Sequence, residues 1–291
     1  MKQSSSGRRL NQLSLPWQIL NYLFLSLILL SMFIPFLYVF AVAFSTRQGS
    51  MAAGVKLWPD HFSLNGFSTV WQRADLGTAF LNSVSVSVIS VLLELFLALM
   101  AAYVLVIEQL PFRRFLAGII LVTLTIPGDL TLISVYVLNK QLNLLNSYPG
   151  LILNGLVSGF AIMLLKNYFE GVPDALAEAA RIDSATEFQI FRLIYLPLSL
   201  PGIAAISFLE FISKWNALML PATIISDARY YTLPLVLKQL TLSSESTSGI
   251  DYIAPNARMA AIVISVLPLI LLYVLAQSFL IEGLTLGATK G

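Results

Sequence analysis

The sequence is 291 residues long, 57% hydrophobic and only 11% charged, with a mean hydropathy of +0.82. That balance excludes an ordinary soluble globular domain and places the chain among integral membrane proteins. The formal net charge of +2 comes from scattered Lys and Arg and gives no footprint for a nucleic-acid partner; with no cysteine there is no disulfide framework, thiolate metal site or cysteine nucleophile.

A membrane-crossing helix needs roughly 20 mostly apolar residues, so stretches nearly free of Asp, Glu, Lys and Arg mark the candidate spans. Six are expected in chain order, near 17–45, 79–107, 115–138, 149–166, 198–225 and 258–281. Backbone polar groups in lipid must be satisfied within each segment, and these segments are too long for barrel strands, so the expectation is an all-α polytopic fold. One membrane domain over 17–281 is expected, with an N-terminal segment 1–16 and a tail 282–291. Arg8, Arg9 and Ala41-Val42-Ala43 mimic the flanks of a signal peptide, but the apolar stretch between them is far longer than a signal core. The basic residues Lys2, Arg8, Arg9, Arg113 and Arg114 suit the cytoplasm, which puts both termini inside. Long outside segments 47–78 and 226–257 follow from that orientation.

Few ionisable residues interrupt the spans. Glu94 and Asp129 have no partner visible in the sequence, and Asp129 follows Pro127-Gly128, where a broken helix is expected. Residues 167–197 then change composition sharply, with seven charges from Glu170 to Arg192. Pro173 and Asp174 suit a helix start, Ala175 to Ile182 are mostly strong helix formers, and Asp183-Ser184 interrupt. Ser184-Ala185-Thr186-Glu187 reads as a capping box opening a second helix to about Tyr195, with Pro197 beginning the next span. Small residues Ala179, Ala180 and Ala185 near that corner let another protein's surface approach the backbone, so the segment reads as a docking knob; an amphipathic pair lying on the membrane is the competing reading. In the fifth span Glu210 and Lys214 stand four apart in the favourable order for an ion pair on one helix. Alternatively Lys214, Trp215 and Asn216 face a solute path, where an indole stacks on sugar faces and an amide meets hydroxyls.

Enzyme readings find no support. There is no GxxxxGK[ST] phosphate loop and no GxSxG elbow, and the single histidine, His61, excludes an HExxH zinc site. No cofactor and no metal site is expected.

Glu178-Ala179-Ala180, Asp183-Ser184-Ala185 and Ile194-Tyr195-Leu196-Pro197 stand at the spacing of the EAA signature, and on them the chain resembles ABC importer permeases. The likeness extends over most of the chain, toward the carbohydrate-uptake subfamily of the maltose transporter's smaller permease subunit. It is carried by Asn82-Ser83, by Leu142-Asn143-Leu144-Leu145-Asn146-Ser147, by Trp215-Asn216, and by the tail with Gly283, Gly287 and Lys290. The resemblance implies a type I importer permease (MetI-like) fold with six transmembrane helices in a bacterial inner membrane. It further implies a second permease subunit, two ATPase subunits, an extracytoplasmic solute-binding protein and a sugar or oligosaccharide substrate. In that family residues at the positions of Glu178 to Ala185 dock into the ATPase and the tail reaches the ATPase dimer, while in the maltose system the larger permease subunit holds the solute. One departure stands out: the family usually has glycine at Ser184, so here the corner must form without glycine's freedom at positive φ. The alternative from another class is a transporter driven by an ion gradient, using Glu94, Asp129 or the Glu210 and Lys214 pair.

Overall fold

The computed structural model describes residues 15–107, 110–246 and 253–288, and among them every regular element is helical. In chain order these are α1 (Leu15–Ala43), α2 (Arg47–Met51), α3 (Asn65–Arg73), α4 (Leu76–Val106), α5 (Arg113–Thr125), α6 (Leu132–Gln141), α7 (Tyr148–Leu153) and α8 (Gly159–Phe169). There follow α9 (Asp174–Ile182), α10 (Glu187–Ile190), α11 (Leu196–Leu198), α12 (Leu200–Trp215), α13 (Met219–Ile224), α14 (Leu233–Ser246) and α15 (Pro255–Ala288). Among the described residues, four stretches are long and apolar enough to cross a membrane: Pro16–Ala43, Leu76–Val106, Leu200–Ile224 and Pro255–Ile281. The expected spans 115–138 and 149–166 are each assembled from two shorter helices, α5 with α6 and α7 with α8. The first break falls at Pro127-Gly128, where a single 3₁₀ turn, Gly128–Thr131, bridges the pieces; the second falls at Asn154 to Ser158.

The described chain divides into two compact units, residues 15–68 with 254–263, and the described residues of 69–253 with 264–288. In the first unit, α1 exposes its apolar side chains from Trp17 to Phe36, as suits a helix whose solvent is lipid. Past its end the chain is pinned by side chains. Thr46 caps α2 by accepting from the Gly49 N–H at 3.0 Å, and its own hydroxyl and N–H donate to the Asp60 carboxylate at 2.7 and 3.1 Å. Those bonds, the Thr46 hydroxyl first, hold the Asp60 carboxyl well below the usual range. Phe44 lies between Phe62 and Phe67, with ring centroids 5.4 and 4.9 Å away, and the Asn256 amide donates to the Ser45 carbonyl at 3.3 Å.

The second unit is organised around α4, whose amphipathicity is inverted. Asn82, Ser83, Ser87, Ser90 and Glu94 recur at helical spacing and are buried, while Leu81, Val88, Ile89, Leu92, Leu93 and Phe96 face outward. Helices in lipid gain little from burying apolar surface and associate through close packing and internal polar contacts, so a polar and small-residue stripe is the face that seeks partners. Those partners are α8 and α12. Close approach is visible at Gly159, where a Cβ would meet the Thr123 hydroxyl and the Ile120 carbonyl, and at Gly202, where it would run into the Tyr168 ring. At one end of this bundle Leu95, Ala98, Ala102 and Tyr103 of α4 pack with Leu165, Phe169, Phe191, Tyr195 and Ile206. Residues 170–199 are built onto that end.

Candidate functional site

The segment between α8 and α12 forms a bent helical hairpin. Asp174 lies in the first turn of α9 and Arg181 in its last, each at the dipole end that favours its charge. The chain then turns through Asp183, Ser184 and Ala185, and Ser184 holds φ at +62°, in the left-handed region. The bend is closed by backbone bonds: Ser184 N–H to the Arg181 carbonyl at 3.0 Å and Ala185 N–H to the Ala180 carbonyl at 2.9 Å. Serine therefore adopts the conformation that glycine adopts freely, at a strain cost of about 1–2 kcal/mol. The capping box lies two residues later than the sequence suggests, because Ser184 is taken up in the closing turn and α10 starts only at Glu187. Thr186 is the cap, accepting from Gln189 N–H while the Gln189 side chain accepts from Thr186 N–H at 2.7 Å.

Beyond α10 the helix widens into a π turn, Phe191–Tyr195, in which Leu196 N–H reaches back to the Phe191 carbonyl. Pro197 supplies the reason. It has no N–H to donate and its ring crowds the preceding turn, so the ladder shifts register just before it. Glu178, Ala179, Asp183 and Ser184 are exposed, with Ala180 and Ala185 half-buried beneath them; Ile182 at the tip is 84% exposed. Pro197 is exposed at the far end of the hairpin.

The hairpin is fastened by charges that the sequence does not pair. The Arg181 guanidinium meets Glu187 Oε1 at 2.8 Å, and the Tyr103 hydroxyl donates to Glu187 Oε2 at 2.6 Å. The Arg181 bond first, then the Tyr103 hydroxyl, keeps the Glu187 carboxyl below its ordinary value. Nearby, Glu170 accepts from Lys166 at 2.6 Å and Arg113 at 3.2 Å, tying the start of α5 to the end of α8.

The intramembrane charges cluster differently from the one-helix pair that the spacing suggests. Lys214 points to Glu94 across the bundle, Nζ to Oε2 at 2.8 Å, and also donates to the Gly155 carbonyl at 2.7 Å. Glu210 instead accepts from the Ser158 hydroxyl at 2.8 Å, and Ser158 in turn caps α8 by accepting from Ala161 N–H. The break between α7 and α8 explains this exchange: it frees a carbonyl and an N-terminal N–H inside the bundle, and Lys214 and Ser158 satisfy them. A cavity of about 210 Å³ adjoins the cluster, lined by Ser83, Ser87, Ser90, Asn154, Ser213 and Lys214, together with the buried Thr232 hydroxyl, which has no hydrogen-bond partner among the described residues. Of the remaining two residues considered for a solute path, Trp215 is 1% exposed, donates its indole N–H to the Ser265 carbonyl and packs on Phe80 and Phe211, while Asn216 is exposed and caps its own helix at the Ile212 carbonyl.

At the opposite end of the bundle Asn82 and Ser83 act as brackets. The Asn82 amide donates to the Arg229 and Tyr231 carbonyls at 2.9 Å each and accepts from Tyr148; Ser83 accepts from Leu233 N–H at 2.7 Å. Asn146, with φ at +52°, accepts from Ser226 and Asp227 N–H groups. Among the tail residues, Gly283 and Gly287 fall within α15 but their surroundings, and Lys290 altogether, lie outside the described residues, as does the Asp129 side chain.

Comparison with known proteins agrees with this architecture. The chain is 31% identical over 283 residues to the polygalacturonan/rhamnogalacturonan transport system permease protein YtcP of Bacillus subtilis (strain 168), covering 94% of this chain and 98% of that protein. It is 31% identical over 260 residues to the arabinooligosaccharides transport system permease protein AraQ of Halalkalibacterium halodurans, covering 88% and 91%. Among solved structures, a chain of a bacterial ABC transporter involved in the import of the acidic polysaccharide alginate superimposes with a TM-score of 0.83 at 25% identity, covering 92% of this chain and 99% of that one. A family model matches residues 94–285, from the buried glutamate of α4 through the hairpin and into α15, and the chain belongs to that family, the binding-protein-dependent transport system inner membrane components.

Proposed function

We propose that this protein is one of two permease subunits of an ATP-driven importer that carries an oligosaccharide across a bacterial inner membrane. The observation that carries the reading is the exposed corner Glu178 to Ala185, held by a left-handed Ser184 at the position the EAA signature gives to glycine. A corner of small, exposed residues on a rigid hairpin suits a protein cleft. In this reading Glu178, Ala179, Ala180, Asp183, Ser184 and Ala185 seat in an ATPase subunit, Pro197 fixes the exit into the next span, and Gly283, Gly287 and Lys290 reach the ATPase dimer. On the same reading the chain crosses the membrane six times, with α5–α6 and α7–α8 as the broken spans, and both termini face the cytoplasm. The relatives' substrates favour a plant or algal oligosaccharide delivered by a solute-binding protein. ATP closure of two ATPase subunits displaces the corner, and the bundle rocks between inward-facing and outward-facing states.

Lys214 and its serine-lined cavity, with Trp215 packed behind and Asn216 at the helix end, form this subunit's contribution to the path. The test is purification through a tag on this chain after co-expression with its neighbouring transport genes, for wild type and Glu178→Lys. Loss of the ATPase subunit or of uptake in the variant supports the reading. Uptake that continues with no ATPase bound assigns the chain to gradient-driven transport.

A further inference from the structure

The Glu187 carboxylate joins three elements that the chain alone connects only loosely. Arg181 from the last turn of α9 holds it at 2.8 Å through Nε and 3.4 Å through Nη2. Tyr103, at the end of α4, donates to its Oε2 at 2.6 Å and lies 3.2 Å from its backbone carbonyl. Glu187 is itself the first residue of α10.

The tyrosine has no freedom to follow a different route. Its ring is buried against Phe191 and Tyr195, each with its centroid 5.1 Å away, and against Phe169 at 6.5 Å. An exposed ion pair such as Arg181–Glu187 by itself contributes little. The distinctive element is the buried hydroxyl that grips the same carboxylate from inside the bundle, a charge-assisted bond shorter and stronger than a neutral one. Asp183 to Thr186 is a four-residue connection, so without this grip α9, which otherwise packs on the bundle through Ala177 and Ala180, is freer to tilt about the corner independently of α4.

We infer that Tyr103, Glu187 and Arg181 form a latch that makes displacement of the α9 corner move α4, the helix carrying the buried polar stripe. These are positioning residues. They act by joining α9 to α4, and the inference rests on the reading of α9 as the ATPase-docking corner. The latch predicts that docking and force transmission separate, since Glu178, Ala179, Asp183 and Ser184 face outward while Tyr103 faces inward.

The chain has no cysteine, so Leu92→Cys, on the outward face of α4, labels uniquely with an environment-sensitive fluorophore once the co-assembled subunits are made cysteine-free. In the complete complex the wild-type background gives a fluorescence change on adding MgATP. Tyr103→Phe, which keeps the ring and removes only the hydroxyl, is expected to retain the bound ATPase and its MgATP hydrolysis while cutting that change at least fivefold. Glu187→Gln does the same to a lesser degree, because its amide oxygen still accepts from Tyr103, and the double variant loses no more than Tyr103→Phe. A wild-type fluorescence change in Tyr103→Phe overturns the latch while leaving the docking reading intact. Absence of an ATPase subunit from the wild-type complex overturns the docking reading, and the latch with it.

Discussion

Lys214 reaches past Glu210, one turn away on its own helix, to place its ammonium 2.8 Å from Glu94 on α4. Glu94 is fully buried and takes no other cation among the described residues, so the pair is required in a way an exposed pair is not. Lys214→Met is expected to destabilise the protein by about 3–5 kcal/mol, because it strands a buried carboxylate. Glu94→Gln combined with Lys214→Met is expected to recover most of that loss. Thermal unfolding in detergent reads both; a double variant as unstable as the single one contradicts the pairing.

Ser184 sits at φ +62° with no side-chain hydrogen bond to repay the strain among the described residues. Ser184→Gly is therefore expected to raise stability by about 1 kcal/mol, whereas a β-branched Ser184→Val lowers it by more than that. Melting temperatures of the three proteins, compared at equal detergent, decide the matter; a glycine variant that melts lower shows that the hydroxyl contributes.

Asn82→Ala leaves the Arg229 and Tyr231 carbonyls and the Tyr148 hydroxyl without their partner. A loss of about 1–3 kcal/mol is expected. Because these bonds bracket residues 229–233, the first symptom is faster proteolytic cleavage between α13 and α14, with the hairpin at the other end unaffected.

The Glu187 carboxyl is held below its ordinary value by Arg181 and Tyr103. A depressed carboxyl contributes stability that is fully present above its unfolded pKa of about 4.3 and is lost as pH falls through the lower folded value. The hairpin is thus expected to be indifferent to pH from about 5.5 to 8 and to loosen only in stronger acid. Hydrogen exchange over 174–195 checks this; a step in protection near neutral pH points to a different titrating group.

The hairpin was legible because its signals are local: a composition change at Glu170, helix formers to Ile182, an interruption at Asp183-Ser184. The misplaced capping box shows the limit of local pattern. Ser184 and Thr186 both head a plausible box, and only the closed turn, with Ala185 bonded back to Ala180, decides that the serine is left-handed and the threonine caps. The break at Pro127-Gly128 is expected from its residues, while the one at Asn154 to Ser158 falls inside an expected span, although Asn154-Gly155 is a turn signal and Ser158 a capping residue. What the sequence does not show is how the bundle accommodates it: Lys214 satisfies the exposed Gly155 carbonyl, and Glu210 accepts from the Ser158 hydroxyl that caps α8. The same distance in sequence hid the partners of Glu94 and Glu187, since Tyr103 and Lys214 carry no mark of where they will fold.

The Glu94–Lys214 pair also sets an order of events during synthesis. Lys214 leaves the ribosome about 120 residues after Glu94, a delay on the order of ten seconds at bacterial elongation rates. Throughout that interval α4 must sit in or beside the translocon with a lone acidic group, a burden of about 2.5–3.5 kcal/mol at mid-helix that the surrounding leucines and valines must offset. A nascent chain truncated before residue 214 therefore inserts α4 less firmly than the full chain does, and a quality-control protease that reads unpaired intramembrane charge sees the difference.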